Sequence, residues 1–425
     1  MRVPSLGQST TSAFLAAASA LWFGAATQTA LAGPEERPGD RFEITVDDLP
    51  KPFATSSALR FPTIVKRNSR MPLAPAGFKV SIFADKLDHP RWMTVAPNGD
   101  VFLAESNEGK ITLLRDTDGD GRAEERFSYA TGFRRPHGLA IRQGEIFVSD
   151  VRAIWRMPYA PAETASKARR PLTQAGAFGN PGSHWTRNFV FAPNGEAIFV
   201  AIGSRSNASE DPLPLASVQR FDANGRNRTT FASGLRNPIG IAFYPNTQDL
   251  YVVVNERDGL GDGLVPDYLT RIREGEFFGW PYAYLGGIPD PDQGAKKPNK
   301  VASTVGPDIL FEAHSAPVGL AFNKGDNFPE DMRGDGFVAL RGSWNAGAPT
   351  GYKVVRVKFE KNRPSGGYEN FLTGFWISGL EKAEVIGRPA GLVFANDGAL
   401  LIADDSGGVI WRVAYTAADQ PAQFD

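Results

Sequence analysis

The sequence predicts an all-β chain, a six-bladed β-propeller of four-stranded antiparallel blades whose ring is closed by an amino-terminal strand completing the last blade. Three observations predict it. An apolar strand, a Gly/Asn turn and a second apolar strand recur six times, about every 45–50 residues where no insertion intervenes. A third short strand follows each unit, and in most units a fourth. The last unit stops after its third strand, near Ala414, whereas "FKVSIFADKL" (78–87) is a strand with no unit of its own. Repeats of this length, unable to bury both faces alone, stack into closed rings or arrays. A barrel or a sandwich leaves the period unexplained.

Residues 1–32 are expected to be a cleavable secretory signal. Arg2 is a weak positive start, Ala13 to Ala25 an apolar run, and "ALA" (30–32) a small-x-small cleavage site. The run is shorter than the roughly 20 residues of a membrane span. No twin-arginine pair or lipobox cysteine accompanies it. A periplasmic or secreted protein without stable membrane insertion is therefore expected. Residues 33–72 are rich in proline and charge, and are expected as an extended lead-in that hugs the surface or is partly disordered.

The propeller is expected over 73–415, with a tail over 416–425. Its units are "RWMTVAPNGDVFLAES" (91–106), "HGLAIRQGEIFVSDV" (137–151), "RNFVFAPNGEAIFVAIG" (187–203), "NPIGIAFYPNTQDLYVVVNE" (237–256), "PVGLAFNKGDNFPEDMRGDGFVALRG" (317–342) and "PAGLVFANDGALLIADD" (389–405). Asn-Gly and Asp-Gly pairs between apolar runs are hairpin turns. Third strands include "KITLLRD", "SVQRFDA" and "GVIWRVAY". Long insertions fall in units four and five.

The chain has no cysteine, which excludes disulfides, thiol catalysis and cysteine-ligated metal. Its formal net charge of −1 and lack of a basic run argue against nucleic acid as a partner.

In a four-stranded blade the innermost strand comes first. Links into inner strands, and links between second and third strands, then share one face at the mouth of the central channel. His89, His137, His184 and His314 all lie in links entering an inner strand, as do Arg91, Arg135, Arg187, Arg236 and Arg388. Any one of them serves to cap a strand end. A ring of guanidiniums at one mouth, however, calls for something anionic there. The second-to-third links are polar: "GSRSNASED", "NERDGLGDGLVPD", "RGSWNAGAPTG" and "DDSGG". The acidic and glycine-rich composition of "NERDGLGDGLVPD" suits a hard cation such as calcium.

These residues resemble a known family, the soluble quinoprotein sugar dehydrogenases of the aldose and sorbosone group, which use pyrroloquinoline quinone (PQQ). The resemblance covers about 73–415 and rests on "GLRNPIG" (234–240), "NERDG" (255–259), "FFGWPY" (277–282), "LRGSWN" (340–345) and "GRPAGL" (387–392). It implies His184 as general base, and Arg236 and Asn237 as contacts of the quinone carbonyls. It implies backbone carbonyls of Asp258 and Gly259 as ligands of an active-site Ca²⁺. Arg341 and Arg388 match cationic positions that hold the cofactor carboxylates, and Arg91 joins them in the ring. Glucose-oxidising relatives carry lysine where Arg341 stands and an acidic residue where Ser183 stands. Those departures point to the sorbosone-type branch. The resemblance thus implies oxidation of an aldose or sugar aldehyde, with a periplasmic cytochrome or quinone taking the electrons.

A second calcium candidate is "DTDGDGRAE" (116–124), with Asp116, Asp118, Asp120 and Glu124 as ligands for a structural ion. It lacks the twelfth-position Glu of an EF-hand loop, where Phe127 stands. A plain Asp/Gly turn is the competing reading. Two other functions stay open. A metal-dependent lactonase-type propeller needs carboxylates and amides converging on one ion. A non-enzymatic binding propeller needs no chemistry at all.

Overall fold

The computed structural model describes residues 36–166, 168–325 and 327–416. The expected leader and most of the expected tail lie outside the described residues. Among these the chain is all-β apart from a five-residue helix and three short 3₁₀ turns.

Six antiparallel sheets follow one plan, the first five running in sequence order from first strand to fourth and the last taking its outer strand from earlier in the chain. The first comprises Pro90–Val95, Val101–Glu105, Lys110–Arg115 and Glu125–Ala130. The third comprises Phe189–Phe191, Ala197–Ile202, Ser217–Asp222 and Thr229–Ser233. In the second sheet the outer strand shrinks to Arg170–Pro171. In the fourth, the insertion between Pro266–Ile272 and the outer strand Ile309–Ala313 carries the helix Pro298–Ala302. The last sheet holds Pro389–Phe394, Leu400–Asp404 and Val409–Tyr415, and its outer strand is Phe78–Ala84, paired from Phe78↔Tyr415 onward. This is a β-propeller arrangement.

Neighbouring sheets meet through their first strands. Asn237–Phe243 packs on Pro317–Phe322, that strand on Pro389–Phe394, and that one on Pro90–Val95. Glycine makes the approach possible. A Cβ on Gly319 would lie 2.1 Å from the Ala390 carbonyl oxygen, and one on Gly391 would lie 2.3 Å from that of Arg91. Both distances are far inside van der Waals contact, so only hydrogen fits. The strand pairings slip at the same places, between Pro317 and Gly319 and between Pro389 and Leu392. Such bulges bend a strand and increase its twist. Side chains from adjacent sheets fill the wedges between them, as where Phe337, Phe371 and Trp411 bury together.

The lead-in hugs the surface throughout 36–72. Arg41–Phe42 adds a fifth strand to the fifth sheet, and Thr63–Ile64 pairs in parallel with Glu384–Val385. Glu36 reaches Lys353 at 2.7 Å. Proline-rich composition concealed this because every one of these partners lies some 300 residues away in sequence.

Candidate active site

The links into the first strands and those between second and third strands enclose a cavity of about 530 Å³. His89, Arg91, His184, Arg236, Asn237, Asp258, His314 and Arg341 line it, so eight residues singled out in the sequence come together. His89 and His314 hold left-handed backbone, with φ of 48° and 66°. A non-glycine residue there is under strain, and such strain clusters at functional sites.

His184 enters just before Phe189–Phe191, where the chain turns toward the inner strand. Its Nδ1 lies 3.0 Å from the Ser204 carbonyl oxygen and 2.9 Å from Ser204 Oγ. That hydroxyl donates its own hydrogen to the Ser206 carbonyl at 2.6 Å. Both Ser204 oxygens therefore accept, and Nδ1 must carry the proton. The tautomer leaves Nε2 as a free lone pair. Burial, and next the nearby Arg236 cation, push the His184 pKa down to about 3, so the ring stays neutral.

Arg236 is buried and fully engaged. It donates to the Asn207 carbonyl at 3.1 Å, the Glu256 carbonyl at 2.5 Å, Asn207 Oδ1 at 2.8 Å and Asp258 Oδ2 at 2.8 Å. Asn345 holds the other Asp258 oxygen at 2.6 Å, and His314 Nδ1 stands 3.6 Å away from it. Burial is the largest influence on Asp258 and raises its pKa, but the Arg236 charge together with the His314 hydrogen bond and the two nearby histidines outweighs it, and the net direction is down. Burial pushes two further lining carboxyls up, Glu256 to about 7 and Asp267 to about 6.

The ring of cations carries its own anion. Asp405, fully buried, accepts from Arg91 and, at 2.6 and 3.1 Å, from Arg341. Those two guanidiniums overcome its burial and hold its carboxyl far below the usual range. Arg388 does not line the cavity. It stands behind Arg341, donating to the Arg341 carbonyl at 3.0 Å and to that of Gly342. Arg187 is also buried away from the cavity, with Nε and Nη2 unpartnered among the described residues. His137 packs between Trp92 and Trp185.

A flat, triply carboxylated quinone fits this donor set. Arg341 is partly exposed to the cavity and Arg91 Nε is unpartnered among the described residues, while the buried Asn237 Oδ1, likewise unpaired among them, offers an acceptor. A calcium ion on the Asp258 carbonyl does not fit the arrangement. That oxygen already accepts from Asn207 Nδ2 at 2.9 Å and Arg257 Nε at 3.2 Å, which fills both lone pairs. Gly259 does not line the cavity. Asp116, Asp118, Asp120 and Glu124 do converge, their ligand atoms within 4.8 Å of one another, in the turn between Lys110–Arg115 and Glu125–Ala130. None of them lines the cavity.

Asn207, Glu256, Asp267, Trp344, Asn345 and Asp405 were not singled out from sequence. All fall in or at the end of the polar second-to-third links, so the signal was present in those links' composition.

The family described as TrAA12-like matches residues 72–265 and 292–416. An uncharacterized protein of Borreliella burgdorferi is 29% identical over 353 residues, covering 80% of this chain and 90% of that protein. A pyrroloquinoline quinone-dependent pyranose dehydrogenase of Coprinopsis cinerea is 24% identical over 402 residues, covering 79% of this chain. The match spans only 54% of that longer relative. The holo form of the PQQ domain of pyranose dehydrogenase from Coprinopsis cinerea superposes with a TM-score of 0.69 at 20% identity, over 84% of this chain and all of that one.

Proposed function

The chain belongs to the TrAA12-like family, and from that premise we propose that it is an exported quinoprotein oxidoreductase that binds PQQ in the 530 Å³ cavity and oxidises a sugar. A related pyranose dehydrogenase is named as PQQ-dependent, which supports the cofactor. The observation that carries the reaction is His184: Nδ1 locked to Ser204, Nε2 free and unprotonated in a cavity with cations around it. When bound, PQQ supplies the two-electron acceptor that takes hydride from the sugar carbon. Arg341 and Arg91 would hold its carboxylates, with Arg388 bracing the Arg341 backbone. Arg236, its donors taken by four acceptors, would lend positive charge to the bound group rather than a hydrogen bond. His184 Nε2 takes the hydroxyl proton of the same carbon, so proton and hydride leave together.

The substrate class is an aldose or a hydrated sugar aldehyde, sorbosone-like in the departures at Ser183 and Arg341. No step is routed through calcium, because the Asp258 carbonyl is already saturated. The architecture we propose for this site is a six-bladed ring closed by Phe78–Ala84. A cytochrome or quinone outside the membrane receives the electrons. A screen of aldoses and sugar aldehydes with PQQ-loaded protein and an artificial electron acceptor tests the reading. Turnover of at least one sugar is expected, and none across the panel would overturn it.

A further inference from the structure

Within "LRGSWN", Trp344 lines the cavity without a part in the chemistry above. It is nonetheless 36% exposed, so it stands at the mouth. The cavity's other indole, Trp185, lies under the guanidiniums of Arg91 and Arg135, at 5.6 and 5.4 Å. Trp344 is instead backed by an aromatic from a remote part of the chain. Phe61 of the lead-in stacks on it, ring centres 5.3 Å apart and planes 20° from parallel. Next to it, the Arg60 amide donates to the Trp344 carbonyl at 2.7 Å. The Arg60 guanidinium is tied down in turn by Glu381 at 2.9 Å.

The lead-in grips the rest of the mouth as well. The Phe53 amide donates to the Leu260 carbonyl at 2.8 Å, and the Asp262 amide donates to Thr55 Oγ1 at 2.8 Å. Asp262 Oδ1 then accepts from the Gly347 amide at 2.8 Å, joining the two links that hold Asp258 and Trp344. Phe61 itself is 58% exposed, an expense of apolar surface that the core does not require.

We propose that Trp344, backed by Phe61, is the platform on which the apolar C–H face of a sugar ring lies, and that residues 53–61 are a specificity-determining strap. A pyranose has one face of axial C–H groups, and an aromatic face is its natural partner, while the hydroxyls reach the amides and carboxylates deeper in. Phe61 is a positioning residue: it touches the platform and not the reacting atoms. The proposal rests on the sugar-oxidising reading above.

The test uses Phe61→Ala, Phe61→Tyr, Trp344→Ala and Trp344→Phe in the full chain, with circular dichroism and melting to establish folding. Two readouts are taken. The first is the split between KM and kcat for hexoses in PQQ-loaded protein. The second is hexose affinity by calorimetry on the reduced holoprotein, where no turnover occurs. Phe61→Ala and Trp344→Ala are expected to raise KM and weaken hexose affinity roughly 3- to 10-fold, the range of one aromatic contact, with kcat little changed and Trp344→Phe and Phe61→Tyr close to the parent. Unchanged KM and affinity in both alanine variants overturns the platform, as does a folded parent that binds no hexose. A parent that binds hexose through these residues but oxidises none supports the platform and overturns the oxidoreductase reading instead.

Discussion

His184 donates through Nδ1 to Ser204 and keeps Nε2 free, and this pairing decides its chemistry. A base works only while neutral. Its pKa, pushed down to about 3 by burial and then by Arg236, lies below the ordinary imidazole value near 6.5. The neutral form therefore persists well into acid, and is lost only as pH falls through the depressed value. The pH profile of kcat/KM should show no inflection from this group near 6.5. His184→Ala should keep the fold and PQQ binding but lower kcat about 10²–10⁴-fold. An acid limb at 6.5 that His184→Ala abolishes would show the ring to be unperturbed. Two arginines that look alike in sequence should also separate. Arg341→Ala, at the cavity, should weaken PQQ binding by about 1.5–3 kcal/mol. Arg388→Ala, which removes donors from two carbonyls, should chiefly lower the melting temperature. Equal loss of PQQ affinity in both would place them together at the cofactor. His184 was legible because a histidine directly before an apolar strand stands out in a chain with four. The roles of Arg388 and Asp405 were not, since Arg341 and Asp405 meet across 64 residues and Arg91 and Asp405 across 314.

At the scale of elements, hairpins were legible and the strand partners of the lead-in were not. Alternating apolar residues around Asn-Gly turns mark strands locally. Arg41–Phe42 pairs with Tyr368–Leu372, more than 300 residues away, so no local pattern marks it as a strand. What pins the lead-in there is a buried ion pair. Lys353 is fully buried between Glu36 at 2.7 Å and Glu312 at 3.3 Å, beneath the Phe42 ring. Removing one member of such a group strands the others without a partner in low dielectric. Lys353→Ala should cost about 3–5 kcal/mol, read as a lowered urea midpoint. A change within about 0.5 kcal/mol would mean that water already reaches the two glutamates.

For the molecule as a whole, the repeat of Gly in "NPIGIAF", "PVGLAF" and "PAGLVF" was visible and its meaning was not. A glycine inside a strand signals close approach, but only the packed sheets say to what. Gly391 faces the Arg91 carbonyl, across the junction of the last sheet with the first. Gly391→Ala should therefore destabilise by about 1–3 kcal/mol or more through overpacking, while Gly325→Ala, whose Cβ would meet only Asn323 Oδ1 at 4.0 Å, should not. Equal melting temperatures for the two would deny that the sheets meet there. The central claim concerns what the first strands and the links around them enclose. Titrating PQQ into the purified full chain, then adding hexose without any electron acceptor, tests it in one cuvette. The account predicts saturable binding at one quinone per chain, weakened in Arg341→Ala, and loss of the oxidised-quinone absorbance on adding sugar. A quinone that does not bind, or binds and remains oxidised with every sugar, would contradict it.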